Sequence, residues 1–279
     1  MLSIVTNVQS LNAQRNLSST TNALSGNFQK LSSGLRINRA GDDAAGLAIS
    51  ESLQAQVRSL GQAERNAGDG ISMLQTAEGA MNEVSGILGR MRELAVQAST
   101  DTLDNTQRGF LDQEFQALEA EIDRIASVSE FNGTTLLNGT ATGINFQVGI
   151  NASSNDRISI DFADVRSTAL GGSGSGATIS AQVLTSQSGA QSAIAVLDSA
   201  ISDVVSARAT IGATENRLQV TTSNLASARE NLAAANSRIR DVDVAEETAA
   251  LTRNNILQQA GVSVLAQANQ APSLALSLL

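Results

Sequence analysis

The chain has to do its chemistry without most of the usual reagents. Its 279 residues hold no His, Cys, Trp or Tyr, and Lys30 is the only lysine. A Ser-His-Asp triad, a thiol nucleophile and the common zinc sites are thereby excluded. A carboxylate pair or a serine–lysine arrangement survives on paper. No glycine-rich phosphate loop or clustered carboxylate motif supports either. Asn-X-Ser/Thr triplets at Asn16, Asn132, Asn138 and Asn151 match a glycosylation pattern, but so Asn-, Ser- and Thr-rich a chain yields such matches by chance. No catalytic, cofactor or metal site emerges, and the sequence reads as a non-enzyme.

What remains is packing chemistry. The net charge of −9 argues against nucleic acid or an anionic membrane as the main partner. Six Phe carry all the aromatic content, which points to helix-on-helix packing through small and aliphatic side chains. The first residues, Met1 to Asn7, form neither a basic nor an apolar leader region, and no apolar run is long enough for a membrane span. The expectation is a protein without a cleaved signal peptide. Absent cysteine suits the cytoplasm, or an exported chain that must stay free of cross-links.

The elements follow from spacing. Leu197, Val204, Ile211, Leu218, Leu225, Leu232 and Ile239 recur every seventh residue, with companions Ile194, Ile201, Arg208, Glu215, Thr222, Arg229 and Asn236. This predicts a long helix with a narrow seam, about 70 Å from Ile194 to Ile239. Such a rod needs partner helices. One runs from Ala44 to about Ser99, with a seam through Leu53, Val57, Leu60, Glu64, Ala67, Ile71, Leu74, Glu78, Met81, Ser85 and Leu88. A second stripe, Val84, Ile87, Met91 and Leu94, predicts a second set of neighbours, in other molecules. A third helix ends near Val128, with Phe110, Leu111, Phe115, Leu118, Ile122 and Ile125 on its inner face.

The ends and the middle differ in character. Ser3 to about Leu35 reads as a helix whose apolar residues fall on two faces, and Ser32–Asp43 as a linker closing on cap residues Asp42 and Asp43. Asn132-Gly133 and Asn138-Gly139 are turn signals, and Ile144–Gly149 and Arg157–Phe162 alternate like a half-buried hairpin. Arg240–Asp243 interrupts the heptads, and a last amphipathic helix spans roughly Val244 to Gln270, ending at Pro272. The tail Leu274, Leu276, Leu278 and Leu279 is apolar, so both ends read as assembly surfaces. The fold class is mainly α: a long-helix coiled-coil bundle with a small β-hairpin region and terminal helices pairing in the assembly. The expected division is 1–43, an N-terminal helix and linker; 44–243, a helical bundle with a hairpin near 140–180; and 244–279, a C-terminal helix.

Several motifs resemble those of a known family. Leu31-Ser32-Ser33-Gly34-Leu35-Arg36-Ile37-Asn38, Gly41-Asp42-Asp43-Ala44-Ala45-Gly46, Arg92-Glu93-Leu94-Ala95-Val96-Gln97 and Glu130-Phe131-Asn132-Gly133 resemble the N-terminal signatures of bacterial flagellins. Ile256-Leu257-Gln258-Gln259-Ala260-Gly261 and Ser263-Val264-Leu265-Ala266-Gln267-Ala268-Asn269-Gln270 resemble their C-terminal signature. The resemblance covers about residues 1–165 and 185–279, in the family's order. Only about Leu170–Ala181 stands where larger flagellins carry variable outer domains.

The resemblance implies an extracellular subunit that polymerises with itself into the flagellar filament for swimming motility. The terminal helices would form an inner tube and the central helices an outer one. The residues expected to serve polymerisation are Ile4, Val8, Leu11, Leu94, Leu257, Val264, Leu265 and Leu279. Further implied partners are the flagellar export apparatus and its chaperone, the hook-associated and cap proteins, and the vertebrate innate receptor for flagellin. Arg90, Leu94 and Glu114 match the positions expected to contact that receptor, while Gly89 departs from the glutamine expected there. A hook–filament junction protein with flagellin-like ends and a cytoplasmic coiled-coil scaffold are the competing readings.

Overall fold

In the computed structural model the described residues are 6–172 and 176–276, with side chains described as far as Gln270. Five long helices dominate: α1 (Val8–Ser33), α2 (Ala44–Ala98), α3 (Asn105–Val128), α4 (Gln187–Arg240) and α5 (Val244–Leu276). Two antiparallel pairs complete the described framework: β1 (Glu130–Phe131) with β2 (Thr134–Thr135), and β3 (Ile144–Gln147) with β4 (Arg157–Ile160). The chain divides into two compact units, Arg58–Arg229 and Met1–Val57 with Glu230–Leu279. Their boundaries fall inside α2 and α4.

Within Arg58–Arg229 the seam of α4 is the core. Leu197 and Leu218 have 0 % exposure, and Val204, Ile211 and Leu225 are buried too. The polar companions of that seam meet the polar interruptions of α2. Arg208 pairs with Glu78 at 3.6 Å, Arg229 with Glu64 at 2.8 Å, and Glu215 accepts a hydrogen bond from Gln75 at 2.9 Å. Charges therefore sit opposite charges in both seams, which fixes one register for the two helices. Where Leu218 crosses α2, a Cβ at Gly70 would lie 3.0 Å from Phe146 and 3.2 Å from Leu218, so glycine lets the hairpin and α4 close on the same spot.

The second stripe of α2 is a correction to the sequence reading. Val84, Met91 and Leu94 have 0 % exposure and Ile87 is partly buried. Val84, Met91 and Leu94 belong to the buried hydrophobic cluster of this unit, and Ile87 packs against it. The stripe is therefore covered by residues of its own chain. Leu94 itself is fully buried within the chain.

The helix ends are closed by specific side chains. Asp104 and Gln107 form a reciprocal cap at the start of α3, which satisfies two backbone N–H groups that have no partner within the helix. Arg108 is buried and donates to the Ala98 and Thr100 carbonyls at 2.9 and 2.7 Å, closing the C-terminus of α2. The α2 cap is Asp43, whose carboxylate accepts the Gly46 N–H at 2.9 Å. Asp42 instead binds the Asn38 and Arg39 N–H groups, which tightens the linker and lowers its pKa. That linker also caps α4: Arg36 donates from its backbone to the Arg240 carbonyl and from its guanidinium to the Ile239 carbonyl.

The β segments follow their turns. Asn132 (φ 50°) and Gly133 (φ 77°) both adopt the left-handed region between β1 and β2, as a tight hairpin turn requires. In the second hairpin Ile144 faces Ile160 and Phe146 faces Ile158. Ile158 and Ile160 are buried, so this ribbon lays one apolar face on the core.

Candidate assembly surface

The unit that pairs α1 with α5 carries polar bridges in its junction and many large apolar side chains at its surface. The two helices run close together over most of their length. Their junction is bridged by polar side chains. Ser10 Oγ lies 2.8 Å from Asn269 Oδ1, Asn27 donates to Glu247 at 2.6 Å, and Asn254 donates to Asn27 at 2.8 Å. Lys30 adds an ion pair to Glu247 at 3.8 Å. Glycine at 261 sets the approach, since a Cβ there would lie 3.3 Å from Leu17.

The α5 helix runs past its proline. Pro272 has no N–H to offer the carbonyl four residues earlier, and that carbonyl, of Ala268, accepts instead from Asn7 Nδ2 at 2.7 Å. The helix consequently continues to Leu276 rather than ending at Pro272 as the sequence suggested.

Leu24 and Ala268 are buried in this unit, but many of its large apolar side chains are not. Val8 (59 % exposed), Leu11, Phe28, Val244, Ile256 (61 % exposed), Leu257, Val262 and Val264 all face solvent. Leu265 is partly buried. Of the expected polymerisation residues, Val8, Leu11, Leu257 and Val264 thus share one exposed helix pair, and Leu265 lies on it half-covered. Ile4 and Leu279 lie outside the described residues. Among the described residues the solvent-facing groups named above are the exposed large apolar side chains of the α1–α5 pair, and an exposed apolar surface is the kind that contact with another molecule covers.

Arg90 and Glu114 are exposed and paired with one another at 2.9 Å, and Arg90 also meets Glu93 at 3.0 Å. The hydrogen bonds that Arg90 donates to Glu114, and next to Glu93, raise its pKa. Further along α3, Asp123 accepts the Ser167 N–H at 2.7 Å and its hydroxyl at 2.9 Å, and Asp112 accepts the Leu184 N–H at 2.6 Å. Between them, burial pushes the Glu119 carboxyl up; Ser167 opposes this by hydrogen bonding, while Asp123 and Asp112 add to it. These carboxylates anchor the 164–184 excursion to α3 and are structural.

Among the described residues no group of three or more His, Cys, Asp or Glu could hold a metal ion. No described helix is long and apolar enough to cross a membrane. Sequence reasoning missed two residues that matter to the architecture. Asn27 is a lone polar residue between Leu24 and Leu31 on an apolar stripe, and Arg108 is a cation in the first turns of a helix, where the dipole disfavours it. Both irregularities were visible as departures from pattern.

Comparison with known proteins agrees with these features. The model of the bacterial flagellin N-terminal helical region matches residues 4–142, and that of the C-terminal helical region matches residues 194–279. Flagellin of Halalkalibacterium halodurans is 49 % identical over 273 residues, covering 98 % of each chain. The flagellar filament 33 kDa core protein of Treponema phagedenis is 42 % identical, again covering 98 % of each. The crystal structure of Bacillus cereus flagellin superposes with a TM-score of 0.50 at 35 % identity, over 62 % of this chain and 94 % of that one. With both terminal regions matched and nearly the whole length aligned to flagellins, the chain belongs to the bacterial flagellin family and is a structural subunit of the flagellar filament.

Proposed function

We propose that this chain polymerises outside the cell through the exposed apolar face of the α1–α5 pair. Val8, Leu11, Leu257, Val264 and Leu265 would be covered by neighbouring copies, and the sequence extends the face to Ile4 and Leu279 at the two ends. The single observation that carries the reading is the exposure of Val8, Leu11, Phe28, Val244, Ile256, Leu257, Val262 and Val264 on one helix pair, which Asn27, Asn254, Ser10 and Asn269 help to tie together. Burying that surface is the dominant favourable term available to such a pair, and only further helices of the same kind offer a matching cover.

The export apparatus with its chaperone, and the hook-associated and cap proteins, are the partners this role requires. For the vertebrate innate receptor, the exposed Arg90–Glu114 pair supports a contact on α2 and α3, without Leu94. The high identity to a flagellin over nearly the whole chain favours a filament subunit over a hook–filament junction protein or a cytoplasmic scaffold.

Purified chain examined by electron microscopy, together with cell-surface fractionation of a producing bacterium, tests the reading. Long helical filaments and a surface-located protein are expected. A few copies confined to a joint, or protein found only inside the cell, would overturn it.

A further inference from the structure

The dipeptide Asn-Gly occurs twice in the chain, and both copies stand in the same tripeptide, Asn132-Gly133-Thr134 and Asn138-Gly139-Thr140. This pair of residues carries chemistry of its own. The glycine amide nitrogen can attack Cγ of the asparagine before it, since glycine has no Cβ to shield that nitrogen. The nitrogen gives up its proton to hydroxide and bonds to Cγ, and the side-chain amide leaves as ammonia. Water then opens the cyclic succinimide that results. Breaking its Cγ–N bond yields aspartate; breaking the bond from nitrogen to the main-chain carbonyl yields isoaspartate, with the backbone routed through Cγ.

The fold treats the two copies differently. Asn132 is exposed, and among the described residues its side chain makes no hydrogen bond. Gly133 is open as well, since a Cβ there would meet nothing within 4 Å. Only the pairs Phe131–Thr134 and Glu130–Thr135 close the turn, so it opens locally at small cost. Opening frees the Asn132 backbone from its left-handed setting (φ 50°) and lets the Gly133 nitrogen reach Cγ. Asn138, by contrast, is half-buried and tied at both atoms of its amide. Nδ2 donates to Thr135 Oγ1 at 3.1 Å, and Oδ1 accepts from the Thr140 N–H at 3.1 Å and from its hydroxyl at 2.6 Å. Asp164 crowds Gly139, where a Cβ would lie 2.7 Å from a carboxylate oxygen.

We propose that Asn132 is a site of spontaneous deamidation and isoaspartate formation in the folded chain, and that the fold protects Asn138 from the same reaction. The modification has a structural consequence. Isoaspartate adds one main-chain carbon to a two-residue turn, which breaks the pairing of β1 with β2. Leu136, whose N–H donates to the Ser129 carbonyl at 2.9 Å, and Leu137 follow directly, and both have 0 % exposure. An aged chain thus carries one more negative charge and a loosened edge to its core. The inference concerns the single chain and stands apart from the filament reading.

Incubation of the purified chain in mildly alkaline buffer, native and unfolded in guanidinium, tests the proposal. Peptide mapping by mass spectrometry assigns each amide-to-acid mass gain to its residue, and an isoaspartyl methyltransferase counts the isoaspartate. In the unfolded chain the two sites convert at equal rates, because their tripeptides are identical. In the native chain Asn132 converts at least about tenfold faster than Asn138, the factor that one to two net hydrogen bonds represent. Thr140→Ala removes one bond from Asn138 Oδ1 and speeds conversion there about fivefold, with Asn132 unchanged. The isoaspartyl form, separated by its added charge, melts below the parent chain. Native Asn138 that keeps pace with Asn132 overturns the proposal. So does Asn132 that stays intact in the native chain while the unfolded chain converts. Unchanged Asn138 conversion in Thr140→Ala overturns the assigned cause of its protection, and equal melting overturns the structural consequence.

Discussion

Individual side chains in this protein divide into those that hold the monomer and those left over for neighbours, and burial separates the two. Leu94 and Leu218 both have 0 % exposure. Truncating either to alanine should cost the monomer about 2–5 kcal/mol, with similar losses in thermal melting. Arg90→Ala should cost less than about 1 kcal/mol, since its ion pair with Glu114 is exposed. A Leu94→Ala monomer that melts like wild type would contradict this assignment. The carboxylates of the 164–184 anchor make a further prediction with a sign. Burial raises the Glu119 pKa, so folding favours its protonated form. Its contribution is fully present below the unfolded carboxylate pKa of about 4.3 and is lost as pH rises through the folded value. Glu119→Gln should therefore raise the melting temperature near neutral pH and lose that advantage in acid. Asp164 has the opposite sign, because its hydrogen bond with Arg166 lowers its pKa. Asp164→Asn should cost stability near neutral pH, with the difference fading as pH falls through the lowered value. Melts across a pH series check both, and pH-independent differences would refute them.

At the scale of elements, the ends of helices carry specificity that their interiors do not. Arg108→Ala would strip the C-terminus of α2 of its buried donor and leave two carbonyls unanswered. The expected loss is about 2–3 kcal/mol in denaturant unfolding, and a loss indistinguishable from that of an exposed arginine would contradict the clamp. The helices themselves were legible in the sequence because their periods are long and uninterrupted. The α4 seam ends within a residue of the last heptad position, Ile239, and the hairpin follows from the alternation around Ile144 and Ile158. What could not be read was which side of a two-striped helix faces home. The stripe through Leu94 carries the same residue types whether α3 or another copy covers it, and only the path of the chain after Asp104 decides. Pro272 misled for a similar reason. Its missing N–H predicts a helix end unless a partner for the Ala268 carbonyl arrives from elsewhere, and that partner, Asn7, is 261 residues away from Ala268 in sequence. The candidate surface was legible as apolar residues at both termini, but the polar bridges beside it depend on Asn27 and Asn254 meeting in space.

For the whole molecule, the account separates stability from assembly. The unit Arg58–Arg229 holds the buried hydrophobic cluster, whereas the α1–α5 pair leaves many of its large aliphatic groups exposed. Folding of the first should be largely indifferent to the outer face of the second, while polymerisation should depend on that face directly. The most direct measurement is paired, on a chain carrying Val8→Ser and Leu257→Ser together. Monomer melting is followed on one side, and sedimentable polymer on the other. The account predicts melting of the main cooperative transition within about 0.5 kcal/mol of wild type, since both side chains are already exposed, together with loss of polymer. A variant that polymerises like wild type, or one whose monomer unfolds as readily as Leu218→Ala does, would contradict it.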